Sequence, residues 1–117
     1  MLTNSDCTLY LWDGSSHRRL VVYGVHWEDT QGADISKTGS AGTNMVEVYL
    51  PLSALPSGVS IRSTGRDYIV RGVVQQDVDE NHSILEVAKS YVLHTITSAV
   101  LCDFGSLEMQ HWEVTAN

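Results

Sequence analysis

The sequence predicts an all-β fold: a small β-barrel or sandwich of six to seven short strands, with one short helix and one long flexible loop. Three observations predict it. Short runs rich in Val, Ile, Tyr and Trp recur along the 117 residues, several of them alternate apolar with polar positions, and turn-forming residues separate them at close spacing. The length corresponds to a single domain, residues 1–117, with one modest core.

The first two strands are expected to form a hairpin. Residues 7–12 alternate between two faces and are followed by the turn signal Asp-Gly-Ser-Ser at residues 13–16. Residues 20–27 are dense in Val and aromatic residues, with Gly24 as the interruption. A glycine inside a strand pattern often marks a bulge or a sharp bend, so we expect one there.

Residues 28–44 predict a long loop. They are rich in Gly, Ser, Thr and Asp and contain one large apolar residue, Ile35, which is too few anchors for a core element. A loop of this length inside a compact domain is usually functional or disordered. Two interpretations stay open: a solvated flexible loop, and a loop that becomes ordered against a partner.

The middle of the chain predicts two further strands and a helix. Residues 44–51 alternate up to Pro51, residues 67–74 form a second β-rich run, and residues 59–62 could form a short edge strand. Ser83 with Glu86 three residues later matches a capping box, which predicts one or two turns of helix.

The last quarter of the chain predicts the hairpin onto which everything upstream packs. Residues 92–101 form a β-branched and aliphatic run, and a turn containing Gly105 leads to a second strand at residues 109–114. His94 is expected on one strand face with Val92, Ile96, Ser98 and Val100. On that face we expect His94 to be a partly buried histidine whose hydrogen bonds are satisfied, and not a metal ligand.

Charge and cysteine usage exclude several classes of protein. The 14 acidic residues outnumber the seven Lys and Arg, giving a formal net charge of -7, which argues against a generic nucleic-acid binder. Cys7 and Cys102 are expected to be reduced, buried small hydrophobes. The N-terminus lacks a signal-peptide pattern, and no run reaches the ~18 apolar residues of a membrane span, so we expect a soluble product.

No catalytic constellation stands out, so we expect no enzymatic activity, no cofactor and no metal. Asp77, Asp79 and Asn81 match the opening of a calcium loop, but His82 stands where that loop needs Gly, and Ala88 where it needs Glu. The five histidines show no H-x-x-x-H spacing and no CxxC partner, so spacing along the chain does not support a zinc site.

Trp112 beside His111, with Met109 nearby, is the most specific local feature. Exposed Trp and Met are enriched at protein interfaces, whereas a buried Trp112 would close one end of the core. Both interpretations stay open.

Five motifs occur in order over most of the chain: 3–10 (TNSDCTLY), 65–72 (GRDYIVRG), 85–91 (LEVAKSY), 95–100 (TITSAV) and 106–114 (SLEMQHWEV). Taken together, they resemble one family of small proteins from tailed phages and prophages of Gram-positive hosts. This chain departs from that family in lacking a Gly-Gly-Lys ending.

The resemblance implies a neck component of the virion, assembled in the host cytoplasm: a head-closure (stopper) or head–tail joining subunit. Such proteins are small β-barrels that form a homo-oligomeric ring between a portal or adaptor protein and a tail-completion protein. The ring passes DNA without sequence-specific binding, and no membrane is involved. Candidate residues of a loop that reaches the channel are Asp29, Gln31, Asp34, Lys37, Ser40 and Thr43. Candidate subunit-interface residues are Tyr10, Trp12, Trp27, Met109, His111 and Trp112. The candidate contact surfaces include the exposed faces expected for Tyr10, Trp12, Tyr23 and Trp27.

Three other functions stay open. A tail-completion or tail-terminator protein would form a similar ring, usually with a helix pair packed on a sheet. A small metal-dependent or hydrolytic enzyme would use His94, His111 and nearby carboxylates. A carbohydrate- or peptide-binding β-sandwich would use Trp12, Trp27 and Trp112 as a platform.

Overall fold

The computed structural model describes residues 3–29, 45–78 and 83–117 and confirms the all-β fold class. Its elements are β1 (Ser5–Trp12), β2 (His17–Asp29), β3 (Val46–Pro51), β4 (Tyr68–Arg71), α1 (Ile84–Ser90), β5 (His94–Cys102) and β6 (His111–Ala116). The six strands close into an antiparallel barrel in the order β1-β2-β3-β6-β5-β4. No helix among these residues has the length and hydropathy to cross a membrane.

The hairpin of β1 and β2 has the bulge that Gly24 predicts. The pairing register slips between Ser5 and Cys7, and Gly24 adopts a φ of +81° that favours glycine. The Gly24 amide donates to Oδ1 of Asp6 at 2.9 Å, which satisfies a group that the regular ladder leaves free. The extra residue allows Val22 and Val25 both to be buried, although they are three residues apart.

The first two residues of the predicted loop at 28–44 belong to a strand. Glu28 and Asp29 continue β2 and pair with Glu47 and Val46 of β3. The polar composition of this segment suggested a loop, but ladder hydrogen bonds join backbone groups and tolerate polar side chains on an outer face. Residues 30–44 lie outside the described residues.

One core fills the barrel, and it includes Trp112. Every second residue of β3 and β6 points inward, as their alternation predicts. Residues 59–62 form no strand, and Ile61 is buried against the core from an irregular segment. The buried core residues are Cys7, Leu9, Val22, Val25, Trp27, Val46, Val48, Leu50, Ile61, Ile69, Ile96, Trp112, Val114 and Ala116.

A second, smaller apolar cluster lies where α1 covers the outer face of β1 and β4. It consists of Tyr10, Val70, Val74 and Val87. The expectation that the face of Tyr10 is exposed is therefore wrong: Tyr10 is fully buried, and its hydroxyl donates to the carbonyl of Gln76 at 2.6 Å. Alternation predicted that Tyr10 points away from the barrel interior, but it could not predict what would cover it.

Helix α1 begins where the sequence predicts, without the predicted capping hydrogen bonds. Ser83 holds the N-cap position in an extended conformation, but its side chain makes no capping hydrogen bond. The amide of Glu86 instead donates to the backbone carbonyl of Ser83 at 3.0 Å. The capping-box pattern thus located the start of the helix and was wrong about the contact.

Strand β5 changes faces at a bulge between Ile96 and Ser98. Ile96 is buried, Ala99 packs against the core, and Val100 is exposed. The single face predicted for residues 92–100 is therefore wrong beyond Ile96, because one extra residue reverses the side-chain alternation. The bulge places Val100 and Cys102 on the outside of the barrel wall.

The turn between β1 and β2 makes a pH-dependent contribution to the stability of the fold. The amides of Ser16 and Ser15 donate to Oδ1 of Asp13, and these backbone bonds lower the pKa of that carboxyl from 3.8 to about 2. A lowered folded-state pKa stabilises the fold fully above the unfolded-state pKa and progressively less as the pH falls toward 2. The unfolding free-energy difference between the wild type and Asp13→Asn should be constant at pH 5 to 7 and shrink below roughly pH 4. Urea titrations at each pH would measure it; a difference unchanged at pH 2 would contradict the assignment.

Candidate functional site

The turn of the C-terminal hairpin carries an exposed apolar surface. Phe104 and Met109 are 76% and 66% exposed, and Val100 and Leu101 at the end of β5 are also exposed. The turn is ordered by its own backbone, since the Met109 amide donates to the carbonyl of Ser106 at 2.9 Å. We call Val100, Leu101, Phe104 and Met109 the hairpin patch. Large apolar side chains that remain in water on a well-packed domain are candidates for an interaction surface.

A second exposed apolar surface lies on α1 and in the residues that follow it. Leu85 and Val92 are 70% and 72% exposed, and Tyr91 is also exposed. We call Leu85, Tyr91 and Val92 the helix patch. Tyr91 and Val92 precede the first residue of β5, whereas the hairpin patch lies at the end of that strand. The two patches are therefore separated by roughly the length of β5, about 25–30 Å at ~3.3 Å per residue.

Outside the barrel wall, three metal-binding side chains converge where β5 and β6 meet. Cys102 pairs with His111 across the two strands, and Glu113 follows on the same face of β6. Their sulfur, nitrogen and oxygen donor atoms all lie within 4.8 Å of one another. His111 is held on both sides: Nδ1 lies 2.7 Å from the carbonyl of Met109, and Nε2 lies 3.2 Å from Oε1 of Glu113.

The two thiols have different surroundings, and neither forms a disulfide. Cys7 is a buried core residue, as expected, and burial raises the pKa of its thiol to about 12. Cys102 is half-buried, so the expectation of burial is met only in part. Desolvation first, and then the charge and hydrogen bond of Glu113, raise the pKa of the Cys102 thiol. As the structure stands, Cys102 therefore keeps its proton at neutral pH.

A cleft of about 330 Å³ lies at the opposite end of β5, beside His94. The His94 ring contacts the ring of Trp27 edge-on at 5.7 Å, and the Arg71 guanidinium lies 5.9 Å from the centre of that Trp27 ring. Burial lowers the pKa of His94, and the charge of Asp29 opposes that shift. His94 is half-buried, as the sequence predicts, and it is neutral at pH 7.

The candidate interface residues divide into buried and accessible ones. Trp27 and Trp112 are buried in the barrel core, and Tyr10 is buried under α1. The exposed face expected for Trp27 is therefore wrong, and Trp112 belongs to the core. Met109 is exposed and belongs to the hairpin patch, and His111 is half-buried.

Trp12 and Tyr23 remain accessible. Trp12 is half-buried, and the Arg66 guanidinium lies 5.0 Å from the centre of its ring. Tyr23 is exposed, as expected.

The structure does not bring together the residues that two of the alternative functions require. Trp27 and Trp112 point into the core while Trp12 lies on the outside, so the three tryptophans share no platform. His94 begins β5, whereas His111 pairs with Cys102 at the end of β5, which separates the two histidines by roughly 25 Å. The interpretation that both act in one active site is wrong for that reason.

Of the candidate channel-loop residues, the structure describes Asp29, which lies at the end of β2 and lines the cleft beside His94. Gln31, Asp34, Lys37, Ser40 and Thr43 lie outside the described residues. Asp77, from the rejected calcium motif, forms an ion pair with Arg19 at 2.6 Å. The other residues of that motif, 79–82, also lie outside the described part of the chain.

Spacing along the sequence missed the Cys102–His111–Glu113 cluster. Eight residues separate Cys102 from His111, which matches none of the common zinc spacings. The register of the predicted C-terminal hairpin could have indicated the cluster. Two residues directly opposite each other in antiparallel strands have Cβ atoms within ~5.5 Å.

Comparison with known proteins returned one result. A family model matches residues 2–117, and its description is a family of unknown function, DUF6751. No curated protein and no solved structure matches the chain.

Proposed function

We propose that this chain, which belongs to the DUF6751 family, is a structural subunit of a phage neck that assembles into a ring around the DNA channel. Its role is head closure or head–tail joining, between a portal or adaptor protein and a tail-completion protein. The motif resemblance described above supports the proposal, and so does the small closed β-barrel that the resemblance implies. The observation that carries it furthest is the pair of apolar patches at opposite ends of β5.

A ring of identical subunits needs two different contact surfaces on each subunit. In a head-to-tail contact, one surface of each subunit meets a different surface of its neighbour, and the ring closes when the rotation divides a full turn. The hairpin patch and the helix patch lie on different elements about 25–30 Å apart. They satisfy this geometric requirement, and we assign them to the two sides of the subunit contact.

The proposed subunit contact is made by side chains. Each of the six strands pairs on both sides, although β2 pairs with β3 only from His26 to Asp29 and β5 pairs with β4 only at His94 and Thr95. We assign the contact between subunits to the exposed apolar side chains of the two patches. Exposed aromatic residues and methionine, such as Phe104, Tyr91 and Met109, are the types enriched in interfaces of that kind.

The charge of the chain is compatible with a channel that lets DNA pass. The net charge of -7 repels phosphate and disfavours tight binding to DNA. We propose, as part of the same function, that the segment 28–44 reaches the channel. Shortening it should give folded protein and heads that lose DNA, and normal DNA retention would argue against a gating role.

A genetic experiment tests the proposed role directly. Deleting the gene from an inducible phage or prophage that carries it should give particles whose heads and tails are not joined, and complementation should restore infectivity. Electron microscopy and mass spectrometry of purified virions should find the chain at the neck. Infectious virions that lack the chain would disprove the proposal.

Charge introduced into one patch should block ring assembly without unfolding the barrel. We expect Phe104→Glu to prevent incorporation into virions, because a carboxylate at the centre of an apolar contact must lose its hydration. Val73→Glu is the matched control, since Val73 is an exposed apolar residue that lies outside both patches and is not a candidate interface residue. Complementation by each variant measures the effect. Wild-type infectivity with Phe104→Glu would show that the hairpin patch is not a contact surface.

The tail-completion alternative receives less support from the fold. That class usually packs a helix pair on a sheet, whereas the one α-helix among residues 3–29, 45–78 and 83–117 has seven residues. A chain composed mainly of paired strands is closer to the head-closure expectation.

A further inference from the structure

We infer that Cys102, His111 and Glu113 form a zinc-binding site on the outer wall of the barrel, with one coordination position left for water or for a ligand from another molecule. The site is independent of the proposed neck function, because it rests on the geometry of one hairpin. Its three donors are a thiolate sulfur, an imidazole nitrogen and a carboxylate oxygen, and all three are ligands that zinc takes in proteins.

The hydrogen bonds of His111 show which ring nitrogen is available to a metal. Nδ1 lies 2.7 Å from the carbonyl oxygen of Met109, and a carbonyl can only accept, so Nδ1 carries a proton and donates. In a neutral ring, Nε2 then has a lone pair directed at the carboxylate oxygen of Glu113, 3.2 Å away. Two acceptors that face each other at this distance need a proton on one of them, Nε2 or the carboxylate oxygen, or a metal ion that both can bind.

The surroundings of His111 match the usual support of a metal-binding histidine. Such a histidine almost always donates its other ring N–H to a backbone carbonyl, a carboxylate or water, which fixes the tautomer and the ring orientation. The Met109 carbonyl has this role here, and the Tyr49 ring contacts the His111 ring edge-on at 5.8 Å. Placing His111 for binding therefore requires no rearrangement of the backbone.

The distances between the donors suit a tetrahedral zinc ion after small side-chain rotations. Zinc bonds of about 2.0–2.3 Å place neighbouring ligands about 3.3–3.7 Å apart. The three donor atoms lie within 4.8 Å of one another, so any two of them need to approach by about 1.5 Å at most. Cys102 and His111 are fixed by strand pairing, and the exposed Glu113 side chain is free to adjust.

Zinc titration of the untagged, full-length chain after EDTA treatment tests the inference. We expect one zinc ion per chain by isothermal titration calorimetry. The heats should depend on the buffer, because the Cys102 thiol must release its proton to become a ligand. Cobalt(II) in place of zinc should give a sulfur-to-metal charge-transfer band in the near ultraviolet.

Single substitutions separate this site from adventitious binding. Cys102→Ser should abolish the charge-transfer band, and His111→Gln and Glu113→Gln should each weaken zinc binding at least tenfold. His26→Gln is the matched control, because His26 contacts Glu28 at 2.9 Å in a similar His–Glu pair on β2. Circular dichroism confirms that each variant is folded. The inference fails if the wild type does not bind zinc, if Cys102→Ser binds with unchanged affinity and spectrum, or if His26→Gln removes the binding.

Discussion

Replacing Trp112 with alanine should lower the free energy of unfolding by about 3–5 kcal/mol, the usual range for removing a buried aromatic side chain. Trp112 is 8% exposed and lies between two neighbours, opposite Leu50 of β3 and Leu101 of β5. The truncation loses the transfer free energy of the indole and leaves a cavity in a barrel core that cannot collapse easily. Urea denaturation followed by far-ultraviolet circular dichroism measures the loss.

Met109→Ala provides the matched control, because Met109 lies on the same hairpin but is mostly exposed. Its effect on stability should stay within about 0.5 kcal/mol, as for most surface substitutions. The pair of variants distinguishes a core tryptophan from an interface tryptophan. If Trp112→Ala is as stable as Met109→Ala, the indole does not support the core and the barrel packing described here is wrong.

Replacing Asp67 with alanine should lower the free energy of unfolding by about 3 kcal/mol, although no apolar contact is lost. Asp67 is a buried charged residue that joins the end of β1 to the start of β4. Its Oδ1 accepts from the Trp12 amide at 2.9 Å, and its Oδ2 accepts from the Thr64 amide and hydroxyl at 3.1 and 2.7 Å. Alanine leaves three donors without their acceptor, and these hydrogen bonds are partly buried. A hydrogen bond to a charged group contributes about 1.5–3 kcal/mol.

Two controls show whether hydrogen bonding or charge is responsible. Asp67→Asn keeps the shape and one acceptor oxygen, so it should cost clearly less than Asp67→Ala. Asp77→Ala removes an exposed partner of Arg19, and such an ion pair contributes about 0–1 kcal/mol. The same urea titrations compare the three variants, and equal losses in all three would contradict the role assigned to Asp67.

Much of the fold could be predicted because it depends on local patterns. Alternation located β1 and β3, the Gly105 turn indicated β6, Gly24 marked a real bulge, and the Ser83 pattern located the start of α1. The errors arose where a distant segment decided the outcome. Glu28 and Asp29 became strand because β3 was available to pair with them, and residues 59–62 stayed irregular although their composition allowed a strand.

The candidate sites were less predictable than the fold. Met109 was recognised as a surface residue, but exposure could not be distinguished from burial for Tyr10, Trp27 and Trp112. Aromatic residues suit a core and an interface equally well, so composition alone cannot decide between them. The candidate metal-binding cluster depends on strand register, which places Cys102 beside His111 although eight residues lie between them in the chain.

The sequence by itself determined that the chain folds as a small all-β domain with a C-terminal hairpin, because side-chain alternation and turn residues act over a few neighbouring positions. Only the tertiary structure decided that the strands close into a barrel, that α1 covers Tyr10, and which side chains meet on the outer wall. Those outcomes depend on strand register and on contacts between distant segments, where a shift of one residue moves every side chain to the other face.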